Sequence, residues 1–192
     1  MSDVTAQLQT AIQLHQSGRL DEAGEVYADI LRVYPGHADA HHLLGLVAFQ
    51  RAAFEEALDL IDQAITLHPQ AAIYHSNRGR VLKAAGENRA AASAFARSLY
   101  LQPGVAESLS DLAGAHLDSG EPETAMLFAS RAIERGPDLA SAHYNYGMVA
   151  TALKQFRSAQ PAFKRAVDLV PDFAPALFEL GWLHQAQNND AM

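Results

Sequence analysis

The chain has no cysteine, a single tryptophan among only 8% aromatic residues, and 14 lysines and arginines against 22 aspartates and glutamates. Without cysteine there is no disulfide staple and no thiol nucleophile. The formal net charge of −8 opposes a phosphate backbone, which is held by Lys and Arg, so no nucleic-acid partner is expected. No run approaches the roughly 18 uninterrupted apolar residues that a bilayer span needs, and no membrane insertion is expected. Met1-Ser2-Asp3-Val4 does not open a basic segment followed by an apolar run, as a secretory signal does. The expected compartment is therefore the cytoplasm. Strand-like alternation is also missing, whereas 49% of residues are hydrophobic and many of these are alanine, a composition that favours helix.

What the chain does have is periodicity. Five of its eight prolines, Pro35, Pro69, Pro103, Pro137 and Pro171, each stand 34 residues from the next. Taking each proline as position 32 gives repeats at 4–37, 38–71, 72–105, 106–139 and 140–173, with a remnant at 174–192. Position 8 reads Ala11, Gly45, Gly79, Ala113, Gly147 and Gly181, and position 20 reads Ala23, Ala57, Ala91, Ala125 and Ala159. Position 24 reads Tyr27, Ile61, Phe95, Ala129 and Phe163, and position 27 reads Ile30, Ala64, Ser98, Ala132 and Ala166. Small residues at matched points let helices approach closely, and bulky ones supply the knobs. Turns at Ser17-Gly18, Ala85-Gly86 and Ser119-Gly120 divide each repeat into a helix A and a helix B. The A helices are expected near 5–17, 39–51, 73–85, 107–118, 141–153 and 175–187. The B helices are expected near 21–34, 55–68, 89–102, 122–136 and 157–170.

This pattern resembles the tetratricopeptide repeat, with its large residue at position 4, Leu at 7, Gly or Ala at 8, Ala at 20, a large residue at 24, Ala at 27 and Pro at 32. The resemblance covers nearly the whole chain. It implies an all-α fold: one domain over 1–192, a right-handed solenoid superhelix of antiparallel helix pairs, with five repeats plus one extra helix. His41, His75 and His143 depart from the large residue at position 4, Arg78 and Tyr146 depart from Leu at position 7, and the first repeat has Gln7 and Thr10. The first-repeat changes fit a terminal cap facing water.

The family binds partners on an inner face lined by helix A positions 2, 5, 6, 9, 12 and 13. Position 6 reads Gln9, Leu43, Asn77, Asp111, Asn145 and Glu179. An amide offers an acceptor and two donors, enough to hold an extended peptide backbone. This row is similar to the asparagine ladder of O-linked N-acetylglucosamine transferases at Asn77 and Asn145, and is interrupted at Asp111. Positions 5 and 9 add His42, Tyr144 and Phe178, then Arg80, Met148 and Trp182. The groove is thus expected to run from apolar with histidine, through Arg80 and Lys83 opposite Glu107, Asp111 and Asp118, to an aromatic and methionine end. A clamp for acidic peptide tails is not expected, because His42, Leu46, Glu107 and Asp111 stand where the related chaperone adaptors need cations and an asparagine.

No catalytic constellation, cofactor or metal site is expected. Histidines at equivalent places in neighbouring repeats stand about 10 Å or more apart, too far for a shared metal, and are read as packing residues. Ser110, Asp111 and His116 share one helix, where adjacent side chains diverge. The remnant carries Leu177, Phe178, Leu180, Trp182 and Leu183, an apolar surface suited to an interface. Three readings follow: a scaffold binding a protein or peptide segment in its concave groove; the amino-terminal substrate-selecting part of a larger enzyme; and a scaffold that dimerises through Leu177, Phe178 and Trp182. The second rests on Gly18-Arg19-Leu20-Asp21-Glu22-Ala23 and His37-Ala38-Asp39-Ala40-His41-His42-Leu43-Leu44-Gly45, which look like leaders of bacterial repeat-linked glycosyltransferases.

Overall fold

The computed structural model describes residues 2–189, with side chains described for residues 4–185. Within these residues the secondary structure is entirely helical. The A helices are α1 (Ser2–Gln16), α3 (Ala38–Gln50), α5 (Ala72–Ala84), α7 (Ala106–Asp118), α9 (Ala140–Ala152) and α11 (Ala174–Asn189). The B helices are α2 (Leu20–Val33), α4 (Phe54–Leu67), α6 (Asn88–Leu101), α8 (Pro122–Arg135) and α10 (Phe156–Leu169). Most begin and end one residue before the expected positions: the expected spans ran on to the C-cap residue and left out the first helical residue. The end of the last expected repeat, 190–192, lies outside the described residues.

The contacts group the chain into two compact units, Met1–Leu101 and Gln102–Met192. In each unit every A helix packs on its own B helix, and every B helix on the A helix that follows, the nearest-neighbour arrangement of a stacked-repeat solenoid.

The interior is built on the small positions. Ala23, Ala57, Ala91, Ala125 and Ala159 are all fully buried, as are the bulky Tyr27, Ile61, Phe95 and Phe163 at position 24. Ile61, Phe95 and Phe163 seat on the facing glycine of helix A, whereas in the first repeat Tyr27 shares its buried cluster with Ala11. A Cβ built on Gly45 would lie 2.9 Å from Ile61 Cγ1, one on Gly79 2.6 Å from Phe95 Cε1, and one on Gly147 2.5 Å from Phe163 Cε1. At these three places a methyl group would collide with the knob, so glycine is required there. In the fourth repeat both partners are small, Ala113 and Ala129, and Leu117, Met126, Phe128 and Tyr146 fill around them. Tyr146, a departure from the usual Leu, is thereby part of the core. Arg78, the other departure, reaches from α5 to Asp62 of α4 with nitrogens at 2.6 and 3.3 Å from its two carboxylate oxygens.

The A-to-B turn has a fixed requirement at position 15. Gly18, Gly86 and Gly120 adopt φ of 78 to 85°, and at the same register Ala52 and Lys154 take φ 59°. The turn thus demands a left-handed residue whether or not glycine is present, a cost for any side chain with a Cβ. At the other end of each B helix the chain leaves the helix just before the repeat proline. There the amides of Tyr34, His68, Gly136 and Val170 bond back to the carbonyls of Ile30, Ala64, Ala132 and Ala166. Proline has no amide hydrogen with which to prolong the helix.

Candidate functional site

In the first unit the A-helix face is hollowed by an open concavity of about 480 Å³, lined by Ile12, His15, Gln16, Gly18, Tyr27, Leu43 and Gln50. Five of these residues come from repeat positions 6, 9, 12 and 13. The lining combines an apolar floor with two primary amides, each able to donate and accept. His15 stands edge-on to the Tyr27 ring, with centroids 6.2 Å apart. The Tyr27 hydroxyl is buried without a hydrogen-bond partner, and burial raises its pKa to about 12. Sequence reasoning gave this end of the groove an apolar character with histidine. It did not find the two glutamines or the unpartnered phenol, which becomes apparent only when the position-24 knob is placed.

Further along the same unit the position-6 and position-5 side chains meet. Asn77 and His42 are 7% exposed each, and Asn77 Nδ2 donates to His42 Nε2 at 2.8 Å. Because the amide nitrogen can only donate, the neutral His42 ring carries its proton on Nδ1. The His42 ring packs on Tyr74 with centroids 4.6 Å apart, and the Tyr74 hydroxyl donates to Asp39 Oδ1 at 2.5 Å. Burial lowers the His42 pKa to about 4, against a smaller opposing pull from Asp39. Burial first, then the bond to Asp39 and its charge, raise that of Tyr74. Arg80 Nη1 stands 3.5 Å from Asn77 Oδ1.

The second unit repeats the relationship with different chemistry. Asn145 Nδ2 donates to the Ser110 carbonyl at 3.0 Å and to its hydroxyl at 2.9 Å. In both units, then, the position-6 asparagine ties its helix to position 5 of the preceding repeat, and its amide donors are engaged within the protein. Asp111, Glu179, Tyr144 and Met148 are half-buried in this unit, while Arg80 is exposed and Lys83 half-buried in the first. Tyr144 packs on Phe163 and Phe173. Its pKa is raised by burial first, then by the charges of Glu179 and Asp118.

The three position-4 histidines share one role. His41, His75 and His143 place Nε2 at 2.8, 3.0 and 2.8 Å from the carbonyl oxygens of Pro35, Pro69 and Pro137. A carbonyl only accepts, so Nε2 carries the proton, and each ring fastens the start of its A helix to the repeat proline. In His41 the other ring nitrogen, Nδ1, is buried without a partner. Among the described residues no group of three His, Asp or Glu side chains is gathered around a metal position, and no helix is long and apolar enough to cross a membrane. On α11, Leu177, Phe178 and Trp182 are 46, 72 and 45% exposed, with Trp182 beside Phe156 at 6.4 Å between ring centroids.

Paired helices stacked on one another, with polar side chains locking successive A helices, define a helical-repeat protein. The chain belongs to the tetratricopeptide repeat family, whose model matches residues 8–72, 76–140 and 144–191. It is 26% identical over 200 residues to the human protein O-mannosyl-transferase TMTC3, a match that takes in 84% of this chain and 22% of that protein. The chain thus spans less than a quarter of that relative's length. Among solved structures it is similar to MamA, with TM-score 0.73 and 19% identity over 88% of this chain and 93% of that one. It is also similar to YrrB, a TPR protein with an unusual peptide-binding site, with TM-score 0.70 and 21% identity over 90% and 89%. These two likenesses establish the fold.

Proposed function

We propose that this chain is a protein-interaction scaffold that binds a peptide or partner segment along its A-helix face, the inner groove of the repeat family. The observation that carries the reading is the hollow lined by Ile12, His15, Gln16, Leu43 and Gln50 over the buried Tyr27. An apolar concavity with a few convergent hydrogen-bonding groups is the usual form of a site for a side chain and its flanking backbone. An apolar partner side chain would enter between Ile12 and Leu43, with its neighbouring peptide groups on Gln16 and Gln50. In the second unit Tyr144 and Met148 supply further apolar contact beside Glu179. Asn77 and Asn145 contribute by holding successive A helices in register; Asn145 retains its carbonyl oxygen as an acceptor for a partner amide. Support by analogy comes from YrrB, which has a peptide-binding site on the same fold.

The reading is tested by selecting dodecapeptides from a random phage-displayed library on the purified chain and measuring their affinity by fluorescence polarisation. Ile12→Glu should weaken the selected peptides by about 10-fold or more, as loss of a central apolar anchor does, with the thermal midpoint nearly unchanged. Selected peptides that bind Ile12→Glu and Met148→Glu as tightly as the original chain would refute the A-helix site.

One observation favours a second reading, in which the repeats select substrates for a larger enzyme: the similarity to TMTC3, a protein O-mannosyl-transferase of which this chain matches only part. Sequencing the natural transcript decides it. A frame continuing past residue 192 into a transferase domain supports this reading, and a stop codon directly after residue 192 refutes it.

A further inference from the structure

The first unit holds another open concavity, of about 340 Å³, where α4, α5 and α6 meet. Its lining residues stand at repeat positions 4, 7, 22, 23, 25, 26 and 28, none of which belongs to the inner groove. Ile65 and the buried Ala94 supply its apolar surface, and Arg78, Arg97 and Asp62 supply its charge.

The two guanidiniums are held in different ways. Asp62 accepts from Nε and Nη2 of Arg78 at 2.6 and 3.3 Å, which fixes that side chain and leaves its Nη1 hydrogens outside the pair. The Arg97 guanidinium lies over the Tyr100 ring, 5.1 Å from the centroid. An aromatic ring engages a guanidinium through its face, so the N–H groups along the edge stay open to a carboxylate. Among the described residues Arg97 has no ion-pair partner.

The neutral groups of the lining accept rather than donate. The Ser93 hydroxyl donates to the Arg89 carbonyl at 3.1 Å, which leaves its oxygen lone pairs as acceptors. His75 donates from Nε2 to the Pro69 carbonyl at 3.0 Å, so Nδ1 of the neutral ring is also an acceptor. Cationic donors thus stand beside neutral acceptors. A carboxylate flanked by peptide N–H groups has the complementary pattern.

Charge decides which anion fits. Two guanidiniums less one carboxylate, with His75 neutral, leave the lining one positive charge on a chain of net charge −8. A side-chain carboxylate brings it to neutrality, whereas a phosphate monoester, at about −1.5 to −2 near pH 7, overshoots and meets Asp62 as like charge.

We propose that this concavity is a second binding site, for the carboxylate of an aspartate or glutamate side chain on a partner protein, and that it works independently of the A-helix groove. The carboxylate bonds to the edges of Arg97 and Arg78, its methylenes lie on Ile65 and Ala94, and the flanking peptide N–H groups donate to Ser93 and His75. One copy of the chain could then hold two partner segments at once.

The test is an NMR titration of the nitrogen-labelled whole chain at about 20 mM salt, where exposed charges are least screened. The probe is the peptide acetyl-Ala-Ala-Glu-Ala-Ala-amide. Saturable shift changes should fall at Arg78, Ser93, Ala94 and Arg97, with a Kd on the order of millimolar for so small a ligand. Replacing the peptide's Glu by Gln should weaken it by about 10-fold or more, and so should Arg97→Gln, since each removes a charge-assisted bond. Ile12→Glu, in the A-helix hollow, should leave the affinity within about 2-fold. The original chain should prefer the Glu peptide to its phosphoserine counterpart, and Asp62→Asn should reverse that order by raising the charge of the lining. Circular dichroism checks that each variant keeps its helices. Equal affinity for the Glu and Gln peptides would overturn the proposal, as would unchanged binding by Arg97→Gln or shift changes confined to the A-helix hollow. A phosphoserine peptide that binds the original chain more tightly than the Glu peptide would overturn it in favour of a phosphate site.

Discussion

Asn145 of α9 and Ser110 of α7 stand 35 residues apart and are joined twice, at 2.9 Å to the hydroxyl and at 3.0 Å to the carbonyl. Asn77 and His42 stand in the same relationship in the first unit. Both bonds link position 6 of one repeat to position 5 of the one before, so the polar row serves first as a latch between A helices. Asn145→Ala leaves the 1% exposed Ser110 without its partner and should cost about 1–2 kcal/mol of stability. Urea denaturation measures it. A change below a few tenths of a kcal/mol would show that the latch contributes nothing.

The buried His42 makes stability depend on pH. Its folded pKa is about 4 against an ordinary 6.5, so the folded chain disfavours the proton that the unfolded chain takes up. Stability should therefore be full above about pH 6.5, fall as pH drops through the window from 6.5 to 4, and level off below it. The size is on the order of 3 kcal/mol. Asp39 moderates the effect, and Tyr74, which donates to Asp39, covers the ring. His42→Gln keeps an acceptor for Asn77 and should flatten this window in urea titrations between pH 4 and 7. An unaltered pH profile would show that His42 does not cause it.

How far the repeats could be read from the sequence depended on how directly each residue's identity was fixed by packing. Position 20 accepts only alanine because two helices touch there, and prolines stop every B helix, so both kept the 34-residue period in plain view. Ala52 and Lys154 were not recognisable as left-handed residues because their identity does not advertise it; only alignment with Gly18, Gly86 and Gly120 does. The histidines at position 4 read as departures, yet each satisfies a proline carbonyl six residues back, a partner that is itself invisible in composition. Asn77 and Asn145 were identified at the right places on the A helices, but the direction of their amides depends on neighbours one repeat away. The hollow at Ile12 and Gln50 needed three dimensions because Tyr27 reaches it from helix B.

The left-handed turns give a stabilisation test. Ala52→Gly and Lys154→Gly remove the steric cost of a Cβ at φ 59°, offset in part by the larger unfolded-state entropy of glycine. Each should stabilise by up to about 1 kcal/mol, additively because the two sites are distant in sequence and lie in separate units. Thermal melts of the single and double variants check this, and a lowered midpoint would contradict it.

The position-8 glycines should divide into two kinds. Gly79→Ala and Gly147→Ala force a methyl to 2.6 and 2.5 Å from Phe95 and Phe163 and should destabilise by about 1–3 kcal/mol. Gly181→Ala meets nothing within 4 Å and should be neutral or stabilising by up to about 1 kcal/mol, through helix propensity. Urea denaturation of the three single variants measures these effects. Equal losses at all three sites would contradict the packing account.

The central claim is that partners bind along the A-helix face. Its most direct test is a nitrogen–proton correlation NMR titration of the labelled chain with a dodecapeptide selected on it. The largest shift changes should fall at Ile12, Gln16, Leu43 and Gln50, with Tyr144 and Met148 perturbed if the peptide also engages the second unit. Shift changes confined to the outer surfaces of α2, α4, α8 and α10, with the hollow undisturbed, would contradict it.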